Sequence, residues 1–96
     1  MDKTIYLINL FDYYGDLLTK KQREYFKNYY FNNLSLSEIS ENSSVSRNGV
    51  HKALKEAESK LNYYENVLKE YERSIKIKKI IKDIDDDIKK KIEELI

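Results

Sequence analysis

Residues 35 to 55 run Ser-Leu-Ser-Glu-Ile-Ser-Glu-Asn-Ser-Ser-Val-Ser-Arg-Asn-Gly-Val-His-Lys-Ala-Leu-Lys and predict a helix, a tight turn and a second helix. Ser35 and Glu38 have the spacing of a capping box at the start of the first helix. Ser46 is suited to cap the second helix, in which Val50 and Leu54 lie one turn apart. This layout is typical of a helix-turn-helix motif, whose second helix presents its first side chains to a nucleic-acid groove or a protein partner.

The start of the second helix holds the side chains best suited to bind a partner. Between residues 46 and 55 there are basic side chains and one histidine but no acid, so this segment is locally positive. The whole chain has a net charge of +1, so any affinity for nucleic acid must come from this local patch. The candidate nucleic-acid or partner-binding residues are Ser46, Arg47, Asn48, His51, Lys52 and Lys55.

The composition predicts one small all-α protein. A chain of 96 residues cannot form two independent cores, and 41% hydrophobic with 36% charged residues argues against a membrane protein. The absence of proline and the presence of only two glycines leave little material for the turns of a sheet-rich fold. No stretch approaches the ~20 apolar residues that span a bilayer, and no leader is expected at Met1. Without cysteine there is no disulfide framework, and we expect a cytoplasmic protein with no membrane contact.

Two helices are expected before the motif. Apolar residues at helical spacing predict a helix from about Lys3 to Tyr14, which Gly15 ends. Thr19 and its capping-box partner Gln22 start a second helix that runs to about Phe31. The tyrosines of this helix are expected to pack at the edge of the core rather than to stack on bases.

The second motif helix is predicted to continue well beyond the motif. Its apolar residues recur in steps of four and three, a heptad rhythm with no interruption by glycine or proline: Val50, Leu54, Ala57, Leu61, Tyr64, Leu68, Tyr71 and Ile75. One interpretation is a long helix that packs on the N-terminal helices of its own chain. We favour a homodimer, because so long a stripe exceeds so small a body. The predicted dimer-interface residues are Leu61, Tyr64, Leu68 and Tyr71.

A change of composition after Tyr71 predicts a boundary, with a helix-turn-helix domain at 1–72 and a charged amphipathic C-terminal helix at 73–96. Ser74 is the expected break between them. The isoleucines from Ile77 to Ile92 keep a helical spacing, so this segment is not a disordered tail. Its aspartates are interpreted as a solvated face with alternating charge, not as a magnesium site.

Catalytic chemistry has no support in the sequence. His51 is the single histidine and there is no cysteine, which argues against zinc. No phosphate-binding glycine loop and no serine with a neighbouring general base is present. We therefore expect a non-enzymatic protein with no cofactor and no metal.

Several blocks together resemble the YlxM family of small bacterial helix-turn-helix proteins. They are Leu10-Phe11-Asp12-Tyr13-Tyr14-Gly15-Asp16-Leu17-Leu18-Thr19-Lys20-Lys21-Gln22-Arg23, Tyr29-Tyr30, Leu34-Ser35-Leu36-Ser37-Glu38-Ile39 and Val45-Ser46-Arg47. The resemblance covers roughly residues 5 to 70 and leaves the C-terminal helix outside. Residues 18 to 61 are more distantly similar to region four of bacterial sigma factors, which recognises promoter DNA.

The resemblance implies an all-helical fold and an accessory or regulatory role in the signal recognition particle (SRP) pathway, with the SRP RNA or the SRP GTPase as partner. By similarity to the sigma motif, the presented face would consist of Ser46, Arg47, Asn48, His51 and Lys52. Two residues depart from that pattern. Ser44 stands where the turn usually has glycine, and Gly49 would remove a side chain from the presented face.

Three hypotheses follow. The first is an SRP accessory protein that binds RNA or the GTPase without catalysis, with basic side chains on phosphates. The second is a dimeric DNA-binding transcriptional regulator whose motif helices meet successive major grooves about 34 Å apart. The third is a protein-interaction module that uses the long helix as its binding surface.

Overall fold

Local capping signals set where the first helices begin. The side chain of Asp2 accepts a hydrogen bond from the backbone N–H of Thr4, and both predicted capping boxes, at Thr19 and Ser35, are formed.

In a computed structural model, which describes residues 2–96, the chain folds into six α-helices with no strand in that range. The expected absence of a leader at Met1 lies outside the described residues. The helices are α1 (Lys3–Tyr14), α2 (Lys20–Phe26), α3 (Leu36–Ser43), α4 (Arg47–Leu68), α5 (Glu70–Ile80) and α6 (Asp86–Glu93).

Two irregular turns shape the N-terminal half. A 3₁₀ turn, Gly15–Leu17, follows α1, and a Cβ on Gly15 would lie 2.9 Å from the ring of Phe11. Glycine is therefore needed there because the Phe11 ring lies against its backbone. A π-helical turn, Lys27–Phe31, carries α2 to the predicted end of its helix, and Asn33 leaves the helix with φ 56°.

The core forms around α4, against which α1, α2 and α3 all pack. Phe26 is fully buried and stacks on Phe11, with ring centroids 4.6 Å apart. The buried side chains that form one cluster are Leu7, Leu10, Tyr14, Leu18, Tyr25, Phe26, Ile39, Val50, Leu54, Ala57 and Leu61. The prediction of a small all-α helix-turn-helix bundle is confirmed.

The C-terminal third differs from the prediction in three respects. The heptad helix is not continuous, because Lys69 adopts a left-handed conformation with φ 55° and separates α4 from α5. Ser74, the expected break, instead lies buried inside α5, so the boundary expected at residue 72 falls within a helix. The single helix expected at 73–96 is also divided, because turns at residues 81–84 separate α5 from α6.

Candidate nucleic-acid interface

The helix-turn-helix motif consists of α3, a turn at Ser44–Ser46 and the start of α4. Ser44, which stands where the turn usually has glycine, has φ 58° and ψ 24°, a left-handed conformation. A non-glycine residue there costs roughly 1 kcal/mol of backbone strain. The Oγ of Ser46 accepts a hydrogen bond of 3.0 Å from the N–H of Gly49, so Ser46 caps α4 as predicted. The start of α4 is thus fixed by its own sequence.

Side chains inside the motif hold the turn against α3. The hydroxyl of Ser40 donates to the carbonyl of Val45 and ties the turn to α3, whereas that of Ser43 donates to the carbonyl of Ile39 at 2.7 Å within α3 itself. A Cβ on Gly49 would lie 2.8 Å from Cγ1 of Val45. Gly49 therefore faces the turn and permits its close approach to α4. The expectation that Gly49 leaves a gap in the presented face is wrong, because this position points toward the protein.

The inner face of the motif is anchored in the core. Ile39 of α3 is 1% exposed, and Val50 and Leu54 of α4 are 0% and 3% exposed. Since these residues are packed on both sides of the turn, the outer face of α4 has a fixed orientation relative to the body. A rigid scaffold of this kind is what a binding helix needs.

The six candidate binding residues are all exposed: Ser46, Arg47, Asn48, His51, Lys52 and Lys55. Asn48, Lys52 and Lys55 follow one another at steps of four and three, so they lie along one outer stripe of α4. The helix N-terminus adds a partial positive charge to the same end of the motif. All of these side chains are therefore accessible to a partner.

The basic residues among the six candidates differ in their surroundings. Lys55 Nζ lies 3.5 Å from Glu58 Oε1, and Glu58 also accepts a hydrogen bond of 2.7 Å from the hydroxyl of Tyr30. Burial and this hydrogen bond raise the pKa of Tyr30. Within residues 2–96, none of the ion pairs involves Arg47 or Lys52. The positive charge available to a partner therefore lies mainly at Arg47 and Lys52.

The residues predicted for the dimer interface are largely used by the protein itself. Leu61 is 0% exposed in the core, so its assignment to a dimer surface is wrong: the N-terminal helices already cover it. Tyr64 is half-buried, with its ring centroid 6.0 Å from that of Tyr14. Tyr71 lies on α5 between the rings of Tyr6 and Tyr13. Only Leu68 is clearly exposed, at 44%.

A polar network that the sequence did not reveal fixes the angle between α4 and α5. Glu65 is 7% exposed, and its carboxylate accepts hydrogen bonds from the backbone N–H groups of Tyr71 (3.1 Å) and Glu72 (2.9 Å). It also accepts a 2.6 Å bond from the hydroxyl of Tyr14, which in turn accepts one from the N–H of Glu70. Burial and the bond to Glu65 raise the pKa of Tyr14 to about 12. The sequence did contain one indication that this carboxylate is buried, since Glu65 lies four residues after Leu61 and therefore on the inner side of α4.

Beside this network, α1, α4 and α5 enclose an open groove of about 900 Å³. Tyr6, Tyr63 and Tyr71 supply much of its aromatic lining, and Asn62 and Asn66 supply amides. Within residues 2–96 there is no cluster of histidine, cysteine or acidic residues with the geometry of a metal site. None of the described helices is long and apolar enough to cross a bilayer.

Comparison with known proteins extends the resemblance to the full chain. A family model described as "Putative helix-turn-helix protein, YlxM / p13 like" matches residues 1–96, including the C-terminal segment expected to lie outside it. A UPF0122 protein of Caldanaerobacter subterraneus subsp. tengcongensis is 49% identical over 83 residues, which cover 82% of this chain and 71% of that protein. A UPF0122 protein of Fusobacterium nucleatum subsp. nucleatum is 36% identical over 97 residues, covering 100% and 94%.

The relatives differ in how much of their length is matched. A UPF0122 protein of Thermoanaerobacter sp. strain X514 is 51% identical over 67 residues, which cover 70% of this chain but 57% of that protein. Full-length agreement with the family model and high identity to several relatives lead to one conclusion: this chain belongs to the UPF0122 family of YlxM / p13-like helix-turn-helix proteins.

Proposed function

We propose that this protein is a non-catalytic, cytoplasmic accessory protein of the bacterial SRP pathway, and that it binds the phosphate backbone of the SRP RNA with the start of α4. The observation that carries the binding mode is the exposure of Arg47 and Lys52 on a helix whose inner face is anchored by Val50 and Leu54. Their charges are not neutralised by any ion pair within residues 2–96. The SRP partner itself rests on the family resemblance.

The chemistry of the six candidate residues suits contacts with the sugar-phosphate backbone of a nucleic acid better than extensive recognition of its bases. Arginine and lysine bind phosphate oxygens, whereas Ser46, Asn48 and His51 are short polar groups that can bond to sugars, phosphates or exposed bases. Two freely available cations supply only a modest electrostatic attraction. The affinity should therefore depend mainly on RNA shape and fall only moderately with salt.

The test is a titration of the purified protein with SRP RNA, with random-sequence duplex DNA and with the SRP GTPase, at two salt concentrations. We expect preferential binding to the RNA that persists near physiological salt. In the variant Arg47→Ala/Lys52→Ala, RNA affinity should fall at least about tenfold, and the slope of log affinity against log salt should flatten by about 2. The matched control is Lys20→Ala/Lys21→Ala, which removes the same charge from exposed positions of α2.

Two results would contradict the proposal. Equal, weak and salt-sensitive binding to RNA and DNA, without binding to the GTPase, would argue against the SRP pathway. Equal losses in the two double variants would show that net charge, rather than the start of α4, determines binding.

The helix-turn-helix geometry also supports a second candidate, a DNA-binding regulator. This function requires discrimination among DNA sequences, and a dimer would prefer a palindrome with half-sites about 34 Å apart. Selection from a random-sequence DNA pool tests it. Enrichment of a palindrome would favour the regulator, whereas an unenriched pool would exclude it.

A third candidate is a protein-interaction module, which the aromatic groove between α4 and α5 supports. Direct binding of the SRP GTPase would agree with it. Loss of that binding in Tyr63→Asp, which changes an exposed residue of the groove, with Arg47→Ala/Lys52→Ala unaffected, would favour this candidate over the nucleic-acid functions. The opposite pattern would exclude it.

A further inference from the structure

The outer stripe of α4 continues beyond the six candidate binding residues. The steps of four and three that join Asn48 to Lys55 pass through four further exposed residues: Ser59, Asn62, Asn66 and Lys69. No member of the stripe is acidic. Among the three acids of α4, Glu58 and Glu65 are buried, and Glu56 is exposed but lies outside the stripe. A negatively charged partner can therefore follow this side of α4 over its whole length, about 32 Å from residue 48 to residue 69.

The far end of the outer stripe forms one wall of the groove between α4 and α5. Ser59, Asn62 and Asn66 line this wall, and Lys69 lies where the chain turns into α5. The groove has a volume of about 900 Å³, which is within the range of sites that enclose small organic groups, roughly 300–1,000 Å³. The groove is thus continuous with the candidate nucleic-acid interface.

The α4 wall of the groove presents an aromatic ring between amide groups. Tyr63 is 63% exposed, more than any other aromatic side chain within residues 2–96. The Nδ2 of Asn62 donates a 3.0 Å hydrogen bond to the carbonyl of Glu58, which leaves its Oδ1 available as an acceptor. The amide of Asn66 makes no hydrogen bond within the described part of the chain. An exposed ring with polar groups beside it is the arrangement by which proteins bind unpaired bases.

We propose that this groove binds an unpaired base of the RNA whose phosphates contact the start of α4. Tyr63 stacks on the base, and the amides of Asn62 and Asn66 form hydrogen bonds with its edge. Lys69 holds a neighbouring phosphate. The inference rests on the proposed function and adds to it a second contact, about 30 Å along α4 from the first.

The chemistry of the groove favours a base over the apolar face of a protein helix. The exposed residues on its α4 wall are mostly amides and a hydroxyl, whereas the apolar side chains on the other walls are half-buried: Tyr6, Tyr71 and Ile75. The exposed acid that lines the groove, Glu72, lies 3.2 Å from Nζ of Lys76, so its negative charge is offset. A flat ring with a polar edge and a nearby phosphate matches this set of groups.

The test compares the affinity of the protein for two RNA probes. One is a fully paired RNA duplex, and the other is the same duplex with a single-stranded extension of about six nucleotides. We expect the extension to raise the affinity of the unmodified protein about tenfold, which is the order of effect of stacking a base on an aromatic ring. Tyr63→Ala should abolish this gain and leave the affinity for the plain duplex unchanged. Tyr63→Phe keeps the ring and should retain the gain.

Two further measurements make the result specific to the groove. Tyr29→Ala removes an exposed tyrosine that does not line the groove, so it should bind both probes like the unmodified protein. Photo-cross-linking with 4-thiouridine in the extension should modify a peptide that contains residues 62–69. Circular dichroism should show that the Tyr63 variants are folded, because this side chain lies outside the core.

Three outcomes would overturn the proposal. The first is equal affinity of the unmodified protein for the two probes. The second is a gain that persists in Tyr63→Ala. The third is loss of SRP GTPase binding in Tyr63→Ala without a change in RNA affinity, which would assign the groove to a protein. In each case, weaker duplex binding by Arg47→Ala/Lys52→Ala would still support the proposed function, whereas a protein that binds neither probe would contradict both.

Discussion

The apolar stripes of α4 and α6 have nearly the same spacing, but the stripe of α4 is buried and that of α6 is exposed. In α4, Val50, Leu54 and Leu61 are at most 3% exposed because α1, α2 and α3 cover them. In α6, Ile88 is 52% exposed and no residue is buried. Periodicity therefore determines that a segment is helical and which side is apolar. It does not determine what covers that side, which depends on whether the chain provides other helices at the right distance.

The largest expected difference between the body (α1 to α4) and the C-terminal arm (α5 and α6) concerns stability. Phe26→Ala should lower the free energy of unfolding by about 3–5 kcal/mol, because it removes a fully buried ring that stacks on Phe11. Ile88→Ala should change it by less than about 0.5 kcal/mol, because this residue is half exposed on the arm. Urea denaturation measures both values. Comparable losses in the two variants would mean that α6 belongs to the cooperative core.

Features that depend on neighbouring residues could be predicted from the sequence, whereas features that depend on contacts between distant residues could not. The helix starts at Thr19, Ser35 and Ser46 were predictable because each depends on side chains within three residues. The left-handed conformation of Ser44 was indicated only by the resemblance, because glycine usually stands at this position of the turn. The break at Lys69 was not, because it is held by contacts from Glu65 and from Tyr14, which is 51 residues away from Glu65 in the chain.

In the candidate site as well, the exposed residues could be predicted from the sequence, but the contacts with distant parts of the chain could not. The exposed residues from Ser46 to Lys55 could be named from the cap and the apolar spacing of α4, although their ligand could not. The hydrogen bond that Tyr30 donates to the buried Glu58, beside Lys55, was not predictable, because the two residues lie 28 positions apart in the chain. Leu61 was misplaced because a heptad pattern is equally compatible with a dimer seam and with a protein's own core.

The second largest loss of stability is expected at the junction of α4 and α5, where Glu65 lies. Glu65→Ala should cost about 2–3 kcal/mol, because it leaves the N–H groups of Tyr71 and Glu72 and the hydroxyl of Tyr14 without their acceptor. Glu65→Gln, which keeps one oxygen acceptor, should cost about half as much. Hydrogen exchange provides the discriminating measurement: amides of α5 should lose protection while those of α1 and α2 keep theirs. Loss of protection throughout the protein would mean that the junction is part of the core itself.

The smallest effect is expected at the start of α6. The carboxylate of Asp85 accepts a 3.4 Å hydrogen bond from the N–H of Ile88, and this cap does not touch the body. Asp85→Ala should therefore reduce the helicity of α6, by about 0.5–1 kcal/mol of local stability, and leave the urea midpoint unchanged. Amide chemical shifts of residues 86–93 report the local change, and Asp85→Asn, a good capping residue, serves as the control. A shift of the urea midpoint in Asp85→Ala would show that α6 is coupled to the body, and the separation between covered and uncovered stripes would then be incomplete.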